Sequence, residues 1–211
     1  MLIEVWSDFV CPFCYIGKRR LEQALLTLPP DSKVEVVYKS FELDPEAPVN
    51  TRISIEEKLS KKYGKSISEA KEMTSQMSQQ ASEAGLDFQF SRMVPTNTFK
   101  AHIVSKIAER YELKKDMQEI LFRAVFTEGR DVGDENTLME TASHAGLDSR
   151  IVNEALSNES YMNQVRREEE EAQEIGVQGV PFFVINRKYA ISGAQPPEVF
   201  TNSLKKALEE Q

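Results

Sequence analysis

A chain whose apolar residues follow strand-like patterns only near its two ends, and helical spacing throughout its middle, can build a sheet only by bringing those ends together. Leu2, Ile3, Val5 and Trp6 make the first nine residues a buried strand, and Lys33 to Phe41, after the break at Pro29-Pro30-Asp31, reads as a second. Between them Ile16, Arg20, Leu21, Ala24, Leu25 and Leu28 recur at three- and four-residue intervals, so residues 12 to 28 form an amphipathic helix. Strand, helix and strand make a βαβ unit, which implies parallel strands joined by a right-handed crossover. From about residue 54 to 175 the spacing is helical and no strand is expected. The predicted helices are 55–63, 66–84, 97–111, 114–128, 135–145, 148–156 and 160–175. Ser66, Thr96 or Asn97, Asp134 and Asp148 stand at their starts as caps, and Gly85, Gly129, Gly146 and Gly176 stand where helices should stop. The last part returns to strands: residues 181–185, a turn at 186–188, a strand at 189–192 and a closing helix at 196–209.

The pattern βαβ, helices, ββα predicts an α/β fold with one small mixed sheet. Residues 1–50 and 176–211 supply that sheet domain, and residues 51–175 form an all-helical insertion.

The chain has 211 residues, 40% of them hydrophobic and 28% charged, with a formal net charge of -8. That is enough apolar material for a core, and the negative balance argues against nucleic-acid and membrane-surface partners, which reward positive charge. No apolar run approaches the roughly 20 residues that cross a bilayer. The first residues carry acids rather than a basic leader, so the expected location is the cytoplasm. The run Arg166 to Glu171 reads as a solvated helix face, because its opposite charges fall at i, i+4.

There are two cysteines, Cys11 and Cys14. A bridge closing so short a loop adds little stability, so the pair is chemical rather than structural, either a redox couple or half of a metal site. Two further ligands would be needed for a metal, and His102 and His144 sit in separate helical stretches without ligand spacing, so no metal is expected. The pair lies between the first strand and the first helix, with Cys11 at the helix N-cap and Pro12 in the first turn. Free amides and the positive end of the helix dipole favour an anion there, which predicts a lowered thiol pKa for Cys11, the more exposed of the two, and a shielded Cys14 one turn inside. The second constellation is Gly176-Val177-Gln178-Gly179-Val180-Pro181, a proline at the start of a strand.

Five blocks together resemble the thioredoxin fold in its DsbA family form, and more closely its FrnE-like cytoplasmic branch. They are Ser7 to Gly17 with Cys11-Pro12-Phe13-Cys14 inside, Phe41 to Pro45, Asn97-Thr98 with Ala101-His102, Gly176 to Phe183, and Ile191 to Gln195. The resemblance implies a thiol-disulfide oxidoreductase or isomerase in which Cys11 attacks and Cys14 resolves. It also implies that Pro181 is cis and that Val180 pairs with an extended substrate strand, with Pro12 and Phe13 lining the groove. Protein or low-molecular-weight disulfides and thiols are the implied partners. No cofactor is implied beyond glutathione as a reductant, and the chain is a monomer or a homodimer. Pro12-Phe13 departs from the Pro-His of periplasmic DsbA, so no imidazole supports the thiolate.

Two alternatives accompany this reading. Kappa-class glutathione transferases and 2-hydroxychromene-2-carboxylate isomerase share the architecture but carry serine where Cys11 stands; a glutathione-dependent reaction on a small hydrophobic molecule would use Asn97 and Ser192 as polar contacts. A redox-gated chaperone-like binding module is the other. Tyr15, Phe13 and Met93 are further candidate linings, and Lys39 and Glu42 are candidates for tuning the sulfurs.

Overall fold

The computed structural model describes residues 1–49 and 51–210. The chain runs β1 (Leu2–Ser7), α1 (Pro12–Leu25), β2 (Glu35–Ser40), then α2 (Ile55–Tyr63), α3 (Ile67–Glu83), α4 (Phe99–Arg110), α5 (Lys114–Phe126), α6 (Glu135–His144), α7 (Ser149–Leu156) and α8 (Glu159–Glu174), and closes with β3 (Phe182–Ile185), β4 (Tyr189–Ser192) and α9 (Pro197–Glu209). The four strands form one mixed sheet in the order β2-β1-β3-β4. β1 is parallel to β2 and antiparallel to β3, which is antiparallel to β4.

The central strand explains why the first residues lack clean alternation: β1 is covered on both faces. Ile3 and Val5 pack with Leu21 and Ala24 of α1 and with Phe200, Leu204 and Ala207 of α9. Trp6, on the opposite face, packs with Ala172 and Val177 and with Val184 of β3. A strand buried on both sides reads as a continuous apolar run rather than an alternating one. In the three-residue connection 186–188 between β3 and β4, Asn186 and Arg187 both have positive φ (51° and 54°), the backbone of the turns whose twist matches that of hairpin strands.

Element boundaries follow local chemistry. Ser54 and Ser66 each close a capping box, with Glu57 and Glu69 respectively, while Asp134 and Asp148 cap α6 and α7 through the amides of Thr137 and Arg150. α1 ends at Leu25, short of the predicted residue 28, because Pro29 disfavours helical backbone in the residue before it and the last turn unwinds ahead of that point. α4 starts at Phe99 rather than 97: Asn97 lies outside the helix and accepts the amide of Phe99 at 2.9 Å. A short 3-10 turn at Phe90–Arg92 was not predicted.

The expected reading of Arg166 to Glu171 as a solvated face holds for Arg166, Arg167 and Glu170, which are exposed, but not for the three half-buried glutamates Glu168, Glu169 and Glu171. Glu168 accepts the amide of Ser40 at 2.7 Å and Glu169 that of Glu42 at 3.1 Å, so two carboxylates serve backbone donors at the end of β2. Glu171 pairs with Lys39 at 2.5 Å and with Arg187. The error has a physical reason: i, i+4 pairing within a helix is weak, about 0.2–0.5 kcal/mol, and unpaired edge amides compete for the same carboxylates.

The chain divides into two compact units, Met1–Leu43 with Glu168–Gln211, and Asp44–Arg167, the division falling within α8. The expected segment ends at Asn50 and Gln211 lie outside the described residues. Among the described residues no helix is long and apolar enough to cross a membrane.

Candidate active site

The site is assembled by the turn that joins β1 to α1. The amide of Cys11 donates to the carbonyl of Asp8 at 3.1 Å, and that of Cys14 to the carbonyl of Cys11 at 3.1 Å, so the chain tightens directly from strand into helix. Cys11 is the N-cap of α1, with extended backbone (φ -90°, ψ 112°) and Pro12 following in the first turn. Proline suits that place because its missing N–H is one of the amides with no partner within the helix. Both cysteines are free thiols.

The second wall comes from the far end of the sequence. The Val180-Pro181 peptide bond is cis, and the Cys11 Sγ donates to the Val180 carbonyl at 3.5 Å. The Pro181 carbonyl is held by the Gly193 amide at 2.8 Å, tying this segment to the end of β4. Residues 169 apart in sequence thus meet at one sulfur.

Cys14 lies deeper, and its sulfur accepts the Asp8 amide at 3.5 Å. Burial pushes the Cys14 thiol well above the ordinary value; a hydrogen bond with Cys11 and the Cys11 charge push in the same direction, against smaller opposing effects of the Ser7 side chain and the Asp8 amide. A raised value means that folded Cys14 stays neutral where an unfolded cysteine, near 8.5, already ionises. Cys14 therefore contributes stability that is intact below about pH 8.5 and is lost as pH rises from there through the higher folded value. Urea unfolding of the reduced protein between pH 7 and 10 should show a decline that Cys14→Ala makes shallower; an identical slope in the variant would contradict the burial effect.

The exposure pattern narrows the contrast expected from the sequence. Cys11 was expected to be the more exposed partner; at 4% against 2% for Cys14 the order holds by a narrow margin, and both thiols are buried. What separates the two is their contacts: Cys11 touches the Val180 carbonyl, Cys14 an amide at the end of β1. Phe13, 37% exposed, is the side chain between them that reaches solvent, and Pro12 is half-buried.

Several other candidates have partners of their own. Tyr15 is buried with the Arg19 guanidinium 5.4 Å from its ring centre. Lys39 lies over the Trp6 ring at 5.2 Å and pairs with Glu4 at 3.0 Å and Glu171 at 2.5 Å. The Cys14 shift arises chiefly from burial and from Cys11. Met93 and Asn97 belong to the helical unit, where Met93 is buried and the Asn97 amide donates to the Pro45 carbonyl at 2.9 Å. Ser192 is exposed on β4. Sequence reading missed Asp8: its buried carboxylate accepts the Leu43 amide at 2.8 Å while its own amide reaches Cys14. An acid at the end of a buried strand, next to a cysteine pair, was the available signal.

A β2-β1-β3-β4 sheet with two cysteines at the start of the first helix and a cis-proline leading into the third strand defines a thioredoxin fold. The model of the DsbA-like thioredoxin domain matches residues 2–205, and the chain belongs to that family. A probable DsbA oxidoreductase from Streptomyces coelicolor is 38% identical, with a TM-score of 0.94 over all of this chain and 91% of its own. The protein YwbO of Bacillus subtilis is 29% identical over 96% of this chain and 94% of its own length. A cytosolic disulfide reductase DsbM from Pseudomonas aeruginosa, solved with GSH, shares the fold at 16% identity and a TM-score of 0.69, over 99% of this chain and 100% of its own.

Proposed function

We propose that this chain is a cytoplasmic thiol-disulfide oxidoreductase of the FrnE-like branch, acting on protein or low-molecular-weight disulfides without a cofactor. The observation that carries the reading is the meeting of Cys11, at the amide end of α1, with the Val180 carbonyl at 3.5 Å and with Cys14 one turn further on. The Cys11 thiolate attacks one sulfur of a substrate disulfide. A Cys11–substrate bond forms, the substrate S–S bond breaks, and the departing thiolate takes up a proton. Cys14 then loses its proton and attacks Cys11, releasing the second substrate thiol. The pair is oxidised by two electrons and the substrate reduced by two; a thiol such as glutathione returns the pair to its reduced form. In this reading Val180 pairs its main chain with an extended peptide, a small case of strand addition, and Pro12 and Phe13 offer that peptide an apolar margin. The similarity of the S. coelicolor oxidoreductase over the whole chain supports this reading.

Equilibration with graded mixtures of reduced and oxidised glutathione, quenched with a mass-tagging maleimide, tests it. A single two-electron transition between tagged and untagged cysteine pairs is expected, together with turnover of a peptide disulfide. Cysteines that stay reduced in every mixture, with no turnover, would overturn it.

A further inference from the structure

Gly17 sits in α1, four residues after Phe13 and three after Cys14, where that helix faces Pro181 and Phe183. A Cβ built on it would lie 3.0 Å from Cγ of Pro181 and 3.1 Å from Cζ of Phe183. Neither neighbour can easily give way. Phe183 is buried and packs edge-on against Phe200, with ring centres 4.8 Å apart, and Pro181 is fixed by its own ring and by the Gly193 amide on its carbonyl. Glycine inside a helix costs about 1 kcal/mol relative to alanine, so the position gives up helix stability. What that loss secures is the spacing between the sulfur-bearing helix and the segment that carries Val180.

We propose that Gly17 is a specificity-determining spacer: the absence of its side chain sets the separation of Cys11 from Val180 that lets the site take an extended peptide disulfide. This rests on the oxidoreductase reading. A peptide must meet two points at once, the Cys11 sulfur and the Val180 main chain, whereas a small disulfide meets only the sulfur. A side chain at 17 moves the two walls apart by a few tenths of an ångström and penalises the two-point substrate selectively.

The test compares the parent with Gly17→Ala on a disulfide-bonded extended peptide and on hydroxyethyl disulfide. The ratio of kcat/KM for peptide over small disulfide is expected to fall about tenfold, mainly through KM, since misplacement of well under 1 Å is costly for an oriented reaction. Alkylation of Cys11 by iodoacetamide should also quicken, because its cover by Val180 loosens. Gly17→Ala combined with Phe183→Leu, which removes one of the two clashes, should recover part of the ratio and keeps the test open if the single variant folds poorly. An unchanged ratio and an unchanged alkylation rate would overturn the spacer role. A parent that exchanges neither disulfide, with alkylation still accelerated by Gly17→Ala, would overturn the substrate class and the oxidoreductase reading while locating the spacing effect at Gly17.

Discussion

Cys11→Ser is expected to lower peptide-disulfide exchange by at least about a thousandfold, because a hydroxyl without an adjacent base is a poor nucleophile and no second cysteine can replace it. Cys14→Ser should behave differently. Its first step proceeds, but the mixed disulfide with Cys11 persists, so intact mass would show protein plus one substrate chain. The asymmetry follows from the site: Cys11 touches the segment where a substrate would lie, whereas Cys14 is buried behind it against the Asp8 amide. In the parent the resolving step should quicken as pH rises, since burial holds the Cys14 thiol neutral and only its ionised form attacks. Quenched single-turnover reactions followed by mass spectrometry check all of this. A mixed disulfide accumulating on Cys14 in the Cys11→Ser variant would reverse the assignment of roles.

Trp6→Ala should produce the largest loss of stability away from the sulfurs. The ring is fully buried, packs with Ala172, Val177 and Val184, and donates its Nε1 to the Glu168 carbonyl at 2.9 Å. Emptying such a site costs about 3–5 kcal/mol, which in a chain of this length lowers Tm by roughly 6–20 °C. Trp6→Phe keeps most of the packing and loses the hydrogen bond, so its deficit should be nearer 1 kcal/mol. Urea denaturation of both variants, followed by circular dichroism, gives the two numbers; equal deficits would mean that the hydrogen bond, not the ring, anchors α8 to the sheet.

Much of the secondary structure was legible because its signals are local. Serine and aspartate caps, left-handed glycines at helix ends and the turn at Asn186-Arg187-Lys188 act within a few residues of themselves. The same holds for the cysteine pair: Cys11, Pro12 and Cys14 declare a helix start by spacing alone. The role of Glu168, Glu169 and Glu171 was not legible. A carboxylate on a helix can face water, a neighbour one turn away or a strand edge distant in sequence, and nothing within the helix chooses among them.

What the sequence determined by itself was the division into strand-forming ends and a helical middle, and the placing of two thiols at a helix N-terminus. Periodicity and capping are short-range, so the chain carries them without folding. The tertiary structure decided which distant residues share the site. It brought the Val180 carbonyl to Cys11, pressed Pro181 and Phe183 against Gly17, and buried both sulfurs almost equally where the sequence predicted Cys11 to be the more exposed. Those outcomes depend on how β1 and β3 register and on how closely α1 can approach, and such distances are fixed only when the two ends of the chain close on a common core.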